Sequence, residues 1–366
     1  MKTRSRPRVA IVAASVDILG GHWVQADSLL QGLARDGFQV RFLPVNPSCP
    51  WGLRWLRRVR YLRTIANQSL YIPSLAMLMA ADVVHVFSAS YWSFLLGPVP
   101  ALLVARALNK RVILHYHSGE ADDHLTHWGT LVHPWLKLAD EIVVPSEYLA
   151  GVFARHGYET RVIRNVVDLA RFEYRERQSL RPRLLSTRNL EPYYRIDIIL
   201  EAFALVKAQL PDATLTVAGY GSEEARLRRL ATEGVRFVGK VDPQSMPQLC
   251  AEADVFLNAS VVDNQPVSIL EAFASGLPVV STPTGDIAAM VRHHQTGLIV
   301  RPADAASLAC GVLQLIACPD EARRMARQAR EDVAHYTWPA VREQWAAVYD
   351  GHGSLEHRGV PHESVS

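Results

Sequence analysis

Four stretches of this 366-residue chain bring together groups able to do chemistry. The most specific is Asp263-Asn-Gln-Pro-Val-Ser-Ile-Leu-Glu271, followed by Ala-Phe-Ala-Ser-Gly276-Leu-Pro278-Val-Val-Ser281. It predicts a strand ending near Asn258, a polar loop carrying Asp263, and a helix opening near Pro266 or Val267 with Glu271 about one turn inside. Two carboxylates flanking a helix N-terminus can bind polyhydroxylated groups at both ends while the helix dipole takes a phosphate between them. Helix capping is the other use of Asp263. The second stretch, Ser186-Thr-Arg188-Asn-Leu-Glu-Pro-Tyr-Tyr-Arg195, sets two guanidinium groups at a strand-to-helix turn. They suit the oxygens of a diphosphate, or else form a solvated basic turn.

The third, His115-Tyr-His117-Ser-Gly-Glu120, ends a buried strand. His117 stands where such a strand meets solvent and can bind a sugar hydroxyl, carry a proton, or serve only as a satisfied structural group. His115 faces the same side but deeper, in the core. The fourth, Leu19-Gly20-Gly21-His22, precedes a helix with Leu29, Leu30 and Leu33. Gly20 and Gly21 let the backbone approach a ligand and leave helix N–H groups for an anion, or make a tight turn. The stretch lacks the G-x-G-x-x-G spacing of a nicotinamide site.

Apolar runs that alternate with helical patterns position these groups. Residues 9–14, 83–87, 112–115 and 142–144 read as buried strands. After an irregular charged stretch at 165–182 the alternation restarts at 183–186, 214–218, 235–238, 255–257 and 279–281. Such alternation predicts parallel sheets covered on both faces. Two series predict two doubly wound α/β domains, 1–168 and 169–338, with the ligand held at the carboxyl ends of facing strands. A helix at 339–350 is expected to follow, and the polar tail at 351–366 reads as disordered.

Composition narrows the classes. Hydrophobic residues make up 49% and charged residues 20%, which is ordinary for a globular chain. No apolar run reaches the roughly 18 residues of a membrane span. The basic N-terminus leads into an apolar run too short for a signal peptide. The four cysteines (Cys49, Cys250, Cys310, Cys318) show no metal-ligand spacing and read as reduced thiols of a cytosolic protein. The net charge of +3 is uneven: residues 1–173 hold 19 Lys and Arg against 13 Asp and Glu, the remainder 20 against 23. No acidic residue falls between Asp36 and Asp82, while six arginines do. On a helical wheel of residues 51–66, Trp55, Leu56, Val59 and Leu62 oppose Arg54, Arg57, Arg58 and Arg60. That pattern fits an interfacial helix on anionic lipid or an ordinary surface helix. No basic–aromatic module for nucleic acid is present.

The 263–281 stretch resembles the signature of retaining glycosyltransferase family 4 enzymes with the GT-B fold. The resemblance continues through Gly20-Gly21, His117, Ile163-Arg-Asn165-Val-Val-Asp168-Leu-Ala-Arg-Phe172, Arg188, Ala218-Gly219-Tyr-Gly221 and Tyr336-Thr-Trp338, over residues 8–350. It implies that Glu271 holds the nucleotide ribose, Asp263 the donor sugar's hydroxyls, and Val267 and Ser268 the sugar and phosphate through their N–H groups. Arg188 would bind the diphosphate, Gly20, Gly21 and Gly219 would line the donor site, His117 would contact the donor sugar, and the last helix would cross back onto the first domain. Three positions depart from the family pattern: Asp263 replaces Glu, Pro266 replaces Gly, and Tyr193 and Tyr194 fall where a lysine is usual, with Arg195 as its candidate replacement.

The resemblance implies retaining transfer of a hexose from a nucleotide-diphosphate sugar, with UDP or GDP as carrier, to a hydroxyl acceptor. Arg188, Arg195 and the helix start near Val267 would stabilise the leaving group without a metal. Membrane recruitment through residues 51–66 would fit a lipid-linked or cell-envelope glycan as acceptor. No cofactor is expected, and no Asp-x-Asp metal motif is present. A cytoplasmic enzyme is expected, peripheral on the membrane face if the 51–66 helix is interfacial. A non-catalytic nucleotide-sugar binder and a sugar-nucleotide epimerase on the same scaffold are the alternatives.

Overall fold

Side chains alternate between two buried faces along each central strand, which is why both sheets are covered on both sides. In the computed structural model, which describes residues 6–15, 21–47 and 60–351, Val9, Ile11 and Ala13 point into one apolar cluster, and Ala10 and Val12 into another on the opposite face. Leu184 and Leu185 divide the second sheet's two clusters in the same way. Sheets buried on both faces are the parallel kind.

The first sheet contains β1 (Arg8–Ala13), β2 (Gln39–Pro44), β3 (Val83–Ser88), β4 (Arg111–Tyr116), β5 (Glu141–Val144) and β6 (Arg161–Val162) in the order β2-β1-β3-β4-β5-β6. The second contains β7 (Arg183–Ser186), β8 (Thr214–Ala218), β9 (Val235–Gly239), β10 (Val255–Asn258), β11 (Val279–Ser281) and β12 (Leu298–Ile299) in the order β12-β11-β10-β7-β8-β9. All pairings are parallel. Strand order reverses between β1 and β3 and again between β7 and β10. These switch points are where doubly wound sheets hold ligands.

Three strands escape a search for continuous apolar runs. β2 is a half-exposed edge with Gln39 and Arg41 turned outward, and β6 and β12 are two-residue edges. The charged stretch after Asn165 is not a loose connector. Arg177 is buried and donates to the carbonyls of Cys250, Ala253, Ser275 and Gly276, while Arg175, Arg181 and Arg183 surround the buried Asp254 carboxylate. Arginine therefore does there what apolar periodicity does elsewhere: it docks the segment on the second sheet.

The helix Trp338–Asp350 lies on the first sheet, with Val341, Trp345, Val348 and Tyr349 buried among Val9, Ile11 and Ile113. Trp338 Nε1 donates to Asp36 at 3.2 Å, and Arg111 Nε donates to the Val348 carbonyl at 3.2 Å. Residues 51–59 of the basic segment, Gly20 and the tail from 352 lie outside the described residues. The helix Arg60–Ser74 continues from that basic segment.

Candidate functional site

Arg188 stands in the turn after β7. Its guanidinium is fixed on three sides: Nη2 donates to Asp263 Oδ2 at 2.5 Å, Nη1 donates to Ser268 Oγ at 3.1 Å, and the Tyr194 ring lies 4.2 Å beneath it. Burial alone would lower its pKa, but the Asp263 carboxylate and the tyrosines more than offset this, so it stays charged. Ser268 is the second residue of the helix Val267–Ala274. The first N–H groups of a helix have no acceptor inside it. Pro266, which caps the helix, has no N–H to offer a ligand. The cation and the helix N-terminus thus converge on one point.

Asp263 is held by more than Arg188. Ser260 Oγ donates to its Oδ2 at 3.0 Å, and its Oδ1 accepts the Asn264 N–H at 3.0 Å. The next two residues tie the loop to the first domain. Ser146 Oγ donates to Asn264 Oδ1 at 2.5 Å, and Asn165 donates through its backbone N–H to Gln265 Oε1 and through Nδ2 to the Gln265 carbonyl. Gly119, at the end of β4, backs directly onto Asp263: a Cβ there would sit 2.7 Å from the Asp263 carbonyl oxygen. Only glycine permits that approach.

Two cavities meet at Arg188, and both include Gly21 and Val267. The smaller, about 130 Å³, is lined by Gly219, Lys240, Met246, Ser268 and Glu271. Gly219 is required there because a Cβ would come within 2.1 Å of the Arg188 carbonyl oxygen. Burial pushes the Glu271 carboxyl up to about 7, against the pull of Arg171 and Arg188. The larger cavity, about 410 Å³, runs between the domains past His117, Asp263, His22, Glu120 and Tyr193. His117 is buried and stacked on Phe87, with ring centroids 5.1 Å apart. Burial, with His22 and His85 nearby, holds its pKa well below the usual value, so the ring is neutral. Its Nε2 has no hydrogen-bond partner among the described residues. Behind it the chain Tyr349 Oη–His85 Nδ1 (2.7 Å) and His85 Nε2–His115 Nδ1 (3.2 Å) runs into the core.

Gly21, His117, Arg188, Gly219, Asp263, Val267, Ser268 and Glu271 therefore all border these joined cavities. Arg195 does not. It adopts a left-handed conformation (φ 49°) before the next helix, and its guanidinium turns to Asp197, with Nε–Oδ1 3.0 Å. The cation that does line the smaller cavity beyond Arg188 is Lys240, after β9. His22, Trp92 and Glu120 line the larger cavity as well, and no spacing in the sequence marks them. Each follows a strand end, and only the strand order puts them on one wall.

Residues 19–171 match the model of glycosyltransferase family 4, and residues 181–318 match that of glycosyl transferases group 1. The chain is 30% identical to a glycogen synthase of Mycobacterium tuberculosis over 292 residues, covering 73% of this chain and 68% of that protein. It is 30% identical over 174 residues to a GDP-mannose-dependent monoacylated alpha-(1-6)-phosphatidylinositol monomannoside mannosyltransferase of Corynebacterium glutamicum, covering 44% of this chain and 45% of that protein. In structure it is similar to Anabaena HepE, crystallised with UDP and glucose: the TM-score is 0.72 at 16% identity, covering 94% of this chain and 100% of that one. With two facing doubly wound domains and both halves of the family matched, the chain belongs to the family 4 glycosyltransferases of GT-B fold.

Proposed function

We propose that this protein is a metal-independent, retaining hexosyltransferase that uses a UDP- or GDP-sugar and passes the sugar to a hydroxyl acceptor. The observation that carries the proposal is the placement of Arg188, shared by both cavities and fixed between Asp263 and the N-terminus of the helix Val267–Ala274. Transfer breaks the bond between the anomeric carbon and the phosphate oxygen, so positive charge develops on the sugar and negative charge on the departing diphosphate. Arg188, Lys240 and the Val267 and Ser268 N–H groups meet the diphosphate, which is where preorganised donors lower the barrier most. Glu271 accepts from the ribose hydroxyls. Asp263 and the free His117 nitrogen hold the hexose hydroxyls. The acceptor oxygen attacks the face the diphosphate leaves, and its proton passes to the leaving phosphate oxygen, so no side chain is assigned as a covalent nucleophile.

Two tests bear on this reading. Among UDP, GDP and ADP, one nucleotide is expected to raise the melting temperature selectively, and its sugar conjugate to be hydrolysed slowly in the presence of excess chelator. Absence of a shift with all three removes the nucleotide assignment, and activity lost to chelator removes metal independence.

The acceptor we propose is a lipid-linked or cell-envelope glycan reached at the cytoplasmic membrane face. Leu62, Ile65 and Ile72 on the helix Arg60–Ser74, with Met77 and Met79 beyond it in the chain, are exposed, and the helix follows the arginine-rich segment in sequence. No helix among the described residues is long and apolar enough to cross a membrane. Co-sedimentation with liposomes is expected to rise with anionic lipid content, as basic segments require. Equal pelleting with neutral vesicles would refute the electrostatic attachment.

A further inference from the structure

We propose that the outer wall of the larger cavity is an acceptor subsite for an uncharged sugar ring, with Glu120 binding a pair of its hydroxyls and Trp92 stacking on its face. The inference rests on the transferase reading above and adds the chemical class of the acceptor.

The wall is built by the loops that leave β3 and β4. Glu120 lines the cavity on the side facing Tyr193 and, among the described residues, forms no ion pair. Burial, and then Asp123 nearby, raise its proton affinity. A carboxylate is an acceptor only, and one without a cation is completed by two O–H donors. Adjacent hydroxyls of a sugar ring supply that pair. A phosphate or carboxylate in the same place would face Glu120 with no cation between them, a burial of like charge that proteins avoid. The cavity's cation, Arg188, is already committed to Asp263 and to the donor side.

Trp92 is 65% exposed and borders the same cavity. A single exposed tryptophan needs no explanation by itself. This one is backed by a built support: Trp128 packs perpendicular to it with ring centroids 5.5 Å apart, and the Tyr91 and Trp128 centroids are also 5.5 Å apart. Tyr91 has φ 56°, a conformation rare for a bulky aromatic residue, and its hydroxyl donates to Asp123 at 2.5 Å. An observed backbone outlier at a cavity points to a constraint the site imposes. Here it brings the chain round the end of β3 so that residues 91 and 92 border the cavity. An aromatic face beside a carboxylate matches a sugar ring, which is apolar on its faces and hydroxylated at its edge.

Saturation-transfer NMR on nucleotide-loaded protein tests this, with the methyl α-glycosides of glucose, mannose and galactose set against glucose 6-phosphate, methyl glucuronide and methyl glucosaminide. At least one neutral glycoside is expected to bind, and the two anionic probes to bind at least tenfold more weakly. Trp92→Ala and Glu120→Gln are each expected to weaken the neutral glycoside about tenfold or more, leaving the nucleotide-induced melting shift in place. Trp92 is on the surface, so its variant keeps the fold if Glu120→Gln does not. The proposal is overturned if no neutral glycoside binds while the nucleotide shift is present. Anionic probes binding as well, the amine binding better, or both variants binding as wild type would overturn it too. Loss of the nucleotide shift in the wild-type protein is a different failure, and it strikes the transferase reading.

Discussion

Replacing Arg188 with alanine is expected to lower donor turnover by roughly 10²–10³-fold, the usual cost of removing one preorganised donor from a site of developing negative charge. The structure makes Arg188 the group on which that loss should be largest. It is the cation that borders both cavities, its fork spans Asp263 and Ser268, and the Tyr194 ring stops it from swinging away. The alanine variant also strands Asp263, which is only 10% exposed, without its ion-pair partner. Breaking a buried pair from one side costs about 3–5 kcal/mol, so stability and turnover must be measured together. Arg188→Lys separates the two effects. Lysine keeps the charge that Asp263 needs but cannot reproduce a planar fork lying on an aromatic ring. That variant should melt near the wild-type temperature and still lose on the order of 10–100-fold in turnover. A lysine variant with wild-type turnover would show that charge alone suffices.

Arg188 and Arg195 show what a sequence exposes and what it hides. Both guanidinium groups follow the same strand, and spacing alone made them equal candidates. Arg188 ends the turn beside the β7–β10 switch point, whereas Arg195 caps the next helix in a left-handed conformation and is drawn to Asp197 two residues on. That local competition, decided by backbone dihedrals, leaves no periodic trace. Central strands such as β1 and β10 are legible because burial on both faces forces a near-continuous apolar run. β2, β6 and β12 are edges with fewer neighbours and weaker demands. The carboxylates and the helix start near Pro266 were legible because a helix N-terminus constrains which residues can stand around it. Trp92 and Glu120 have no such marker. They enter the site through strand order, which is a non-local property of the chain.

Glu271 sets up the second large effect, and its sign follows from its surroundings. Burial beside the smaller cavity lifts its carboxyl to about 7, against an ordinary value near 4.3. The ligand-free fold therefore holds a proton that the unfolded chain gives up. The penalty is absent below the unfolded value, grows as pH rises toward 7 and is complete above it. The shift corresponds to roughly 3–4 kcal/mol at pH 8. Glu271→Gln removes the ionisable group, so it is expected to melt several degrees above wild type at pH 8 and level with it near pH 4.5. The same change should weaken nucleotide binding by tenfold or more, since a carboxylate accepts from both ribose hydroxyls and an amide oxygen cannot match it. In the wild type, binding should release about half a proton at pH 7 and close to one near pH 6, seen in calorimetry as a heat that depends on the buffer. The glutamine variant should lose that release. Stability gained where binding is lost is expected of a carboxylate kept unpaired for a ligand. A glutamine variant that melts lower at pH 8 would mean that the fold already satisfies Glu271, leaving its burial no reason to favour a ribose.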